Sequence, residues 1–552
     1  MKRSVASLAA AEHWAKKHKS VVEEQETLPD TDYSSSSSQE ETAKDSTLQQ
    51  PEIIEILSSD EEKEPLKETR YKLTSSKNFK SPFELIQTPS LREDGVGEIG
   101  VSLEELISHR DLVSTFQFNF SIQVDYFLAH IHPEANPQVT FISGNNILQD
   151  YNEPVDPKYI QKYNLKCLVA KLEDRFGSHH TKMMINFFTD GTMEIIIMTA
   201  NLTMLDFGGL TQMCWRSGRL PKGKSRKDQG IIFQNDLSLY LKCYKISQLS
   251  QLANTLNEYD FTSIDVELLA SAPGTYNLNK VSNTSEIYGY GKLYQLLQRN
   301  KLFTTTGEPH SLLSQVSSIA SPFKSSKGVS ASVFSHILCP IVFHDPEIES
   351  EFQTLPLTPG SFEKHQQQNN YTPYIIYPST SDISNSKIGW GGGQACHFKY
   401  TTTNPLKQQY VQNIRPYLCN WESKIRGGAP PHVKMLLCGN KNWNMLKWAL
   451  MCSHNLSKQA WGYPLASKKG EHLFKIASYE LGVFIPSRST RKLVPKVNNN
   501  ENLNLKGDDI PITVPFDLPP NHYSKNDKPW SSIEPSGDLT DITGQTWPGL
   551  LE

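Results

Sequence analysis

The chain has 552 residues, enough for two or three domains, and its net charge of −4 is distributed unevenly. Residues 21–68 hold 15 Asp and Glu against 3 Lys, so the rest of the chain carries a net charge of +8, which suits a polyanionic ligand. We expect no transmembrane helix, since no apolar run approaches about 18 residues. The eight cysteines are scattered and form no C-x-x-C pair, so we expect buried thiols in a reducing compartment.

Residues 1–81 predict a disordered, acidic tail that carries two short motifs. Lys2-Arg3 and the cluster Lys16–Lys19 have the spacing of a bipartite nuclear-localisation signal, although a mitochondrial presequence is an alternative. Ile53–Leu57, followed by serines and acids, resembles a SUMO-interacting motif, in which an apolar strand adds to the edge of a sheet. A random apolar patch is the other interpretation of that segment.

The folded part begins near residue 82, and strands and helices mix throughout it, which predicts an α/β fold with a mixed sheet in each of two domains. We predict a first domain at 82–280 and a second at 281–552. The first domain has predicted helices at 103–107 and 236–256, predicted strands at 138–143 and 166–172, and the motif hairpin at 182–200. The second domain has a predicted helix from about residue 286, a strand at 374–377 and the glycine stretch 391–393.

Two short segments of the chain repeat each other. His180, Lys182 and Asn201 form one copy, and the second copy consists of the residues His432, Lys434 and Asn455. In each copy the strand after the lysine and the strand before the asparagine are joined by a polar turn, Asp190-Gly191 in the first. A hairpin centred between Asp190 and Gly191 pairs position 180 with 201, and an analogous centre in the second copy pairs 432 with 455. Alternate residues of a strand share a face, so each histidine points the same way as its lysine.

This set of residues suits the hydrolysis of a phosphodiester. Two lysines neutralise the non-bridging oxygens, and two asparagines donate directional hydrogen bonds. One histidine attacks phosphorus and the other protonates the leaving oxygen, for which an ordinary imidazole pKa near about 6.5 is suitable. No cluster of metal ligands with convincing spacing accompanies these residues, so we expect no metal and no other cofactor.

The H-x-K pattern with a distant asparagine resembles the phospholipase D superfamily. Most members carry an aspartate five residues after the lysine, but Phe187 and Gly439 stand there in this chain. The variant without that aspartate resembles the tyrosyl-DNA phosphodiesterases, and further segments that match the family are Phe176–Met184, Asn455–Gly462, Ser478–Val483 and Phe516–Pro520. The resemblance implies two similar α/β/α sandwich domains related by a pseudo-twofold axis.

The resemblance also implies a DNA-repair activity without metal. The substrate would be a DNA 3′ end, single- or double-stranded, joined through its phosphate to a tyrosine of a stalled topoisomerase I, and the product a 3′-phosphate. His180 would be the nucleophile, through a phosphohistidine, and His432 the general acid and then the base. Gln212 and Glu480 would lie behind the two histidines, with Glu480 behind His432 to keep it protonated. We expect a monomeric, nuclear enzyme that does not act on membranes.

Several substrate contacts follow from the same resemblance. Phe176 would stack on a nucleobase, with a place in the hydrophobic core as the alternative. Ser317 and Ser318 would contact the DNA backbone, Ser321 matches the family less well, and Trp530 would lie on the peptide side. Ser457 has two interpretations, a phosphate contact or a helix N-cap. A related phosphodiesterase acting on other substrates and an inactive DNA-binding scaffold are the rival functions.

Overall fold

The computed structural model describes residues 80–149, 154–303, 308–325, 328–344, 361–398, 405–465, 471–497, 503 and 505–550. The basic clusters and Ile53–Leu57 of the predicted tail lie outside these residues. Among the described residues, no helix is both long and apolar enough to cross a bilayer.

The first sheet contains, within the described residues, seven strands. In chain order they are β1 (Phe83–Leu85), β2 (Leu112–Phe118), β3 (Gln138–Ser143), β4 (Asn164–Val169), β5 (Met183–Phe188), β6 (Met193–Met198) and β7 (Met213–Leu220). Their order across the sheet is β1-β7-β6-β5-β2-β3-β4. The strand pairs β2–β3 and β3–β4 are parallel, and the other neighbours are antiparallel.

The second sheet repeats this arrangement with seven strands of the described chain. These are β8 (Glu267–Ser271), β10 (His310–Gln315), β13 (Tyr371–Ile376), β14 (Leu418–Cys419), β15 (Met435–Asn440), β16 (Leu446–Cys452) and β19 (Glu480–Pro486). Their order across the sheet is β8-β19-β16-β15-β10-β13-β14, with the same parallel and antiparallel pairs as in the first sheet. The predicted α/β fold with two similar halves is therefore confirmed, and we call residues 83–220 the first half and 267–514 the second half.

The remaining described strands extend the second half. They are β20 (Leu493–Val497) and β21 (Ile510–Val514) beside β16, the pair β11 (Phe323–Ser325) and β12 (Gly328–Ala331), and the small sheet β9 (Gly274–Asn277), β17 (Tyr463–Pro464) and β18 (Leu473–Ile476). Since β8 and β9 both pair with strands of the second half, the sheets divide the chain before the predicted boundary at residues 280 and 281.

Helices pack around the sheets. The described α-helices are Leu103–Ile107, Val124–Ala129, Pro157–Lys162, Met204–Gly208, Asp228–Cys243, Ser247–Thr255, Gly289–Arg299, Cys339–Val342, Ser361–Asn369, Thr380–Ser384, Pro405–Ile414 and Lys458–Trp461, and a π-helical turn, Phe334–Leu338, precedes Cys339–Val342. Local sequence fixes several starts: Ser102 and Glu105 form a capping box at the first helix, and Ser379 and Asp382 form another.

The two hairpins that carry the motifs are displaced by one residue from the predicted register. Met184 pairs with Ile196, and Met435 with Met451, so each pairing sum is smaller by one than predicted. In the first hairpin Gly191 has a φ of +80°, and Phe188 accepts a hydrogen bond from its N–H, as in a three-residue turn with glycine in the left-handed position. The prediction had assumed a two-residue turn at Asp-Gly, and this difference in turn type causes the displacement.

Candidate active site

The two motif hairpins end at one cavity of about 200 Å³, and both halves contribute to its walls. The first half supplies Phe120, Phe176, Ser178, His180 and Asn201, and the second half supplies Ser317, Ser318, Ala395, His397, His432, Asn455, Ser457, Gln459, Ser478 and Glu480. Both predicted histidines and both asparagines are therefore brought together, although the predicted hairpin register is wrong.

Each histidine is held by the backbone of the opposite half. The backbone N–H of His180 donates to the carbonyl of Tyr479 at 2.9 Å, and the N–H of His432 donates to the carbonyl of Thr211 at 3.1 Å. These bonds are equivalent, because Tyr479 precedes β19 and Thr211 lies just before β7, which is the strand of the first sheet that corresponds to β19.

The side chain behind His180 also comes from the opposite half. Oε2 of Glu480 lies 2.7 Å from Nδ1 of His180, and it also accepts a hydrogen bond of 2.5 Å from the hydroxyl of Ser453. The prediction that Glu480 lies behind His432 is therefore wrong. The sequence could not assign the pair, since Glu480 at the start of β19 meets His180 of the other half only in the folded molecule.

The residue of the first half that corresponds to Glu480 is Gln212, which lies behind His432. Gln212 Oε1 accepts a hydrogen bond of 2.6 Å from the hydroxyl of Thr199, as Glu480 does from Ser453, and Nε2 lies 2.9 Å from Nδ1 of His432. The match extends to the backbone, because Thr199 and Ser453 each accept a hydrogen bond of 3.0 Å from the residue that follows Gln212 or Glu480. Gln212 and Glu480 thus occupy equivalent positions.

Asp206, which the sequence analysis did not single out, lies closest to the ring of His432. Its Oδ1 is 2.6 Å from Nδ1 of His432 and accepts a hydrogen bond of 2.5 Å from Nε2 of Gln212. Asp206 also accepts hydrogen bonds from the backbone N–H of Asn201 and from the hydroxyl of Thr203. An acid at the third position of a helix after a threonine N-cap is an ordinary local signal, so nothing in the sequence pointed to the cavity.

Both motif lysines are fully buried beside the cavity. Nζ of Lys182 donates to the carbonyl of His180 at 3.2 Å, and Nζ of Lys434 donates to the carbonyl of His432 at 2.5 Å. Burial, and then the charge of Lys434, lower the pKa of Lys182 to about 7, and burial lowers the pKa of Lys434 to about 8. Two ammonium groups enclosed together favour an anion between them.

Burial also governs the titration of the histidines and their carboxylates. It lowers the pKa of His432 to about 4, with a further decrease from Lys434, while Asp206 acts in the opposite direction. Burial and the nearby lysines lower the pKa of His180, and burial raises the pKa of the Glu480 carboxyl. Without a bound anion, the site therefore disfavours additional positive charge.

Hydrogen bonds from two serines fix the orientation of the Asn455 amide. Oδ1 of Asn455 accepts hydrogen bonds from the backbone N–H groups of Ser317 and Ser318, at 3.1 and 2.9 Å, and from the Ser317 hydroxyl at 3.3 Å. The amide nitrogen is thus the end of Asn455 that remains to donate. In the first half, Nδ2 of Asn201 donates to Oδ2 of Asp206 at 3.3 Å.

The predicted substrate contacts fall into two groups. Phe176, whose side chain remains 41% exposed, lines the cavity together with Ser317 and Ser318. Ser457 lines it as well, but its hydroxyl accepts the N–H of Ala460, so the N-cap interpretation is confirmed.

Ser321 and Trp530 are absent from the cavity walls formed by the described residues. Ser321 is exposed. Trp530 is buried, with its indole N–H donating to the carbonyl of Gly393 at 2.8 Å and its ring stacked on Trp390, so the predicted place on the peptide side is wrong.

Two histidines adjacent to the motif residues have structural partners. His179 lies between the carbonyl of Asn119 and the hydroxyl of Tyr244, and His454 is 2.8 Å from the hydroxyl of Ser271. In contrast, Phe120 and His397 line the cavity without having been predicted, and the ring of Phe120 meets that of His180 edge-on at 5.3 Å. Within the described residues, no three His, Cys, Asp or Glu side chains are grouped so as to hold a metal ion.

Comparison with known proteins gives a consistent result. A tyrosyl-DNA phosphodiesterase 1 of Drosophila melanogaster is 28% identical over 447 residues, which cover 78% of this chain and 70% of that protein. A tyrosyl-DNA phosphodiesterase 1 of Arabidopsis thaliana is 28% identical over 515 residues, which cover 85% of this chain and 76% of that protein. The crystal structure of a yeast tyrosyl-DNA phosphodiesterase has the same fold, with a TM-score of 0.64 at 22% identity, over 81% of this chain and 99% of that one. The family model described as tyrosyl-DNA phosphodiesterase matches residues 82–524, and the chain therefore belongs to this family.

Proposed function

We propose that this phosphodiesterase repairs DNA by hydrolysing the bond between a 3′-phosphate and a tyrosine of a stalled topoisomerase I remnant. The relatives are named for a tyrosyl-DNA bond. The observation that carries the proposal is the pair of histidines in one cavity, His180 and His432, each with a carboxylate at Nδ1. A carboxylate that accepts the Nδ1 proton fixes the tautomer and leaves Nε2 as the reactive nitrogen.

The first step forms a phosphohistidine. Nε2 of His180 attacks phosphorus, the bond from phosphorus to the tyrosine oxygen breaks, and Nε2–H of His432 gives its proton to the departing phenolate. Oε2 of Glu480 accepts the Nδ1 proton of His180 and compensates the positive charge that develops on the ring. The tyrosine-containing peptide then leaves with a neutral phenol.

The second step releases the 3′-phosphate. Nε2 of His432, now neutral, takes a proton from water while the water oxygen attacks phosphorus, and the bond from phosphorus to Nε2 of His180 breaks. His432 ends this step protonated, so both rings return to their starting states. Lys182 and Lys434 balance the charge of the phosphorus oxygens, and the donating end of Asn455 binds one of them.

The low pKa of His432 is compatible with an acid role. Burial and Lys434 disfavour its protonation, whereas a bound phosphodiester adds a negative charge to the same cavity. That charge raises the pKa of His432 again, so protonation accompanies substrate binding. Phe176, exposed at the cavity, suits stacking on a base of the DNA strand.

The deciding experiment is incubation with an oligonucleotide that ends in a 3′-phosphotyrosine. We expect conversion to a 3′-phosphate end in the presence of chelator, no conversion by His180→Ala, and a covalent adduct on His180 with His432→Arg. Adduct formation on His432 would reverse the two roles. A wild-type protein that binds the oligonucleotide and leaves it intact would support the scaffold function, and preferential cleavage of a lipid or of an internal DNA phosphodiester would support a rival phosphodiesterase.

We also propose that the enzyme acts as a monomer in the nucleus and that Ile53–Leu57 binds SUMO or sumoylated proteins. The bipartite basic clusters support the nuclear location, and the apolar run next to acidic residues supports SUMO binding. Removing residues 2–19 should abolish nuclear accumulation of a fluorescent fusion. Mitochondrial accumulation that depends on these residues would favour the presequence, and sedimentation as a dimer would contradict the monomer.

A further inference from the structure

Behind the histidines, two corresponding positions of the halves differ in charge. Glu480 in the second half corresponds to Gln212 in the first, and Asp206, five residues after Asn201, corresponds to Ala460, five residues after Asn455. Each half-site thus has one carboxylate, but at a different position. His180 receives its carboxylate from a strand, and His432 receives it from the helix Met204–Gly208.

The hydrogen bonds around His432 show which neighbour is its acceptor. Oε1 of Gln212 is engaged by the hydroxyl of Thr199, which itself accepts the N–H of Met213 and so has its proton available for Gln212. The Gln212 group near the ring is therefore the amide NH₂, which donates to Oδ1 of Asp206. When Nδ1 of His432 carries a proton, only Asp206 can accept a hydrogen bond from it. The 2.9 Å distance between Nε2 of Gln212 and Nδ1 of His432 arises because both nitrogens donate to Oδ1 of Asp206.

From this arrangement we propose that Asp206 is the positioning residue of His432, and that Gln212 acts by holding Asp206. The proposal rests on the function proposed above and assigns a role that Gln212 cannot fulfil. Asp206 accepts the Nδ1 proton, turns Nε2 toward the cavity and stabilises the protonated ring that the leaving group requires. Its other oxygen binds Nδ2 of Asn201, so one carboxylate aligns the acid and a phosphate ligand together.

Several other titratable groups face His432. Lys434 precedes β15, Glu480 begins β19, His180 and His397 line the same cavity, and the charges of Lys434 and Lys182 act on the His432 ring. Asp206 is the nearest opposite charge and acts against the lysines. Replacing it by asparagine therefore lowers the pKa of His432, and the loss of activity at high pH should begin at a lower pH.

The test compares two leaving groups in the first turnover. Oligonucleotides with a 3′-phosphotyrosine need a proton for the leaving phenol. A 3′-nitrophenyl phosphate releases nitrophenolate, which is a weak enough base to leave without being protonated. With Asp206→Asn we expect tyrosine release to slow about 10- to 100-fold and nitrophenol release to stay within about twofold. Steady-state turnover of the nitrophenyl ester should then fall behind its burst, since water still needs His432 as base.

A relocation of the carboxylate separates positioning from structural support. Asp206→Ala alone should be impaired, and Asp206→Ala combined with Gln212→Glu should recover first-turnover tyrosine release, because it gives His432 the arrangement that Glu480 gives His180. Asp190→Asn, which changes an exposed aspartate in the hairpin turn of the same half, is the matched control and should behave as wild type.

The outcomes distinguish the two proposals. If wild type fails to cleave the phosphotyrosyl substrate, the proposed function itself is wrong. If wild type cleaves it and Asp206→Asn slows both leaving groups equally, with the high-pH limb unmoved and no recovery in the double variant, then Asp206 only supports the fold and the inference is overturned. Thermal unfolding of each variant shows that a loss is not caused by an unfolded protein.

Discussion

The guanidinium of Arg426 in the second half donates a hydrogen bond of 2.5 Å to the backbone carbonyl of Ile99 in the first half. The same buried side chain also donates to the carbonyls of Val96 and Ile86. These acceptors are backbone carbonyls, and no carboxylate among the described contacts of Arg426 compensates its charge. Burial therefore lowers the pKa of Arg426 to about 10. Arg426 therefore fixes the position of one half against the other.

The role of Arg426 leads to a prediction about stability. Arg426→Met leaves buried carbonyls without donors, so we expect the free energy of unfolding to fall by about 2–3 kcal/mol. Denaturant unfolding measures this decrease, with Arg226→Met, at an exposed position, as the control. An unchanged midpoint for Arg426→Met would show that water replaces the guanidinium at no cost.

Glu480→Gln should impair the nucleophile. The amide cannot compensate the charge that develops on His180, and we expect first-turnover release of nitrophenol from the nitrophenyl ester to slow about 10- to 100-fold. This is the reverse of the result expected for Asp206→Asn, so the same assay assigns each carboxylate to its histidine. A normal nitrophenol burst with Glu480→Gln would contradict the 2.7 Å contact with His180 as a catalytic support.

The two buried lysines predict pH-dependent binding of anions. The pKa of Lys182 is lowered to about 7 and that of Lys434 to about 8, so both are charged below these values and become neutral as the pH rises through them. Affinity for an oligonucleotide ending in a 3′-phosphate should therefore fall as the pH rises from 7 to 8, by about tenfold in total, or about 1.4 kcal/mol.

Calorimetry in buffers of different ionisation enthalpy measures the protons taken up with this ligand. Lys182→Met should reduce the uptake, and Lys222→Met, at an exposed lysine that pairs with Glu258, should leave it unchanged. An affinity that is independent of pH across this range would contradict the lowered pKa values.

Asn455 provides a fourth prediction. Its oxygen is held by Ser317 and Ser318, so the nitrogen is the functional end, and Asn455→Asp replaces a donor by an acceptor. We expect kcat to fall about 10²- to 10³-fold, as measured by steady-state cleavage of the phosphotyrosyl substrate. Ser317→Ala removes only the hydroxyl contact and keeps both backbone donors, so it should retain most of the activity. A comparable loss in both variants would indicate that the hydroxyl orients the amide.

Local sequence patterns predicted much of the fold and identified the motif residues. The two H-x-K motifs, each with a distant asparagine, sufficed to predict two hairpins, because strand periodicity and polar turns are encoded within a few residues. The meeting of the two hairpins at one site was implied by the resemblance to the family. The hairpin register was wrong by one residue, since the Asp-Gly turn admits a two- or three-residue loop and the sequence does not distinguish them. His180 and Asn201 nevertheless both line the cavity.

What the sequence could not provide were the contacts between the halves. Glu480 and Asp206 were out of reach of local reasoning, because each meets its histidine more than 200 positions away along the chain. Trp530 was misplaced for a related reason: its indole packs on Trp390 beneath the segment Gly389–Ala395, and a resemblance in sequence does not record which side of a loop a ring occupies.

The exchange of partners across the cavity has a consequence for how such a molecule is assembled. In a polypeptide with a single hairpin, the histidine would find its backbone acceptor, and the carboxylate or amide at Nδ1, only in another subunit. The site would therefore be complete only in a homodimer, with the twofold axis through the phosphorus. In a homodimer both copies of a position must change together, and both histidines would keep identical neighbours. Joining the two copies in one chain allowed residue 206 to be aspartate while residue 460 is alanine, and the two histidines can therefore have different neighbours.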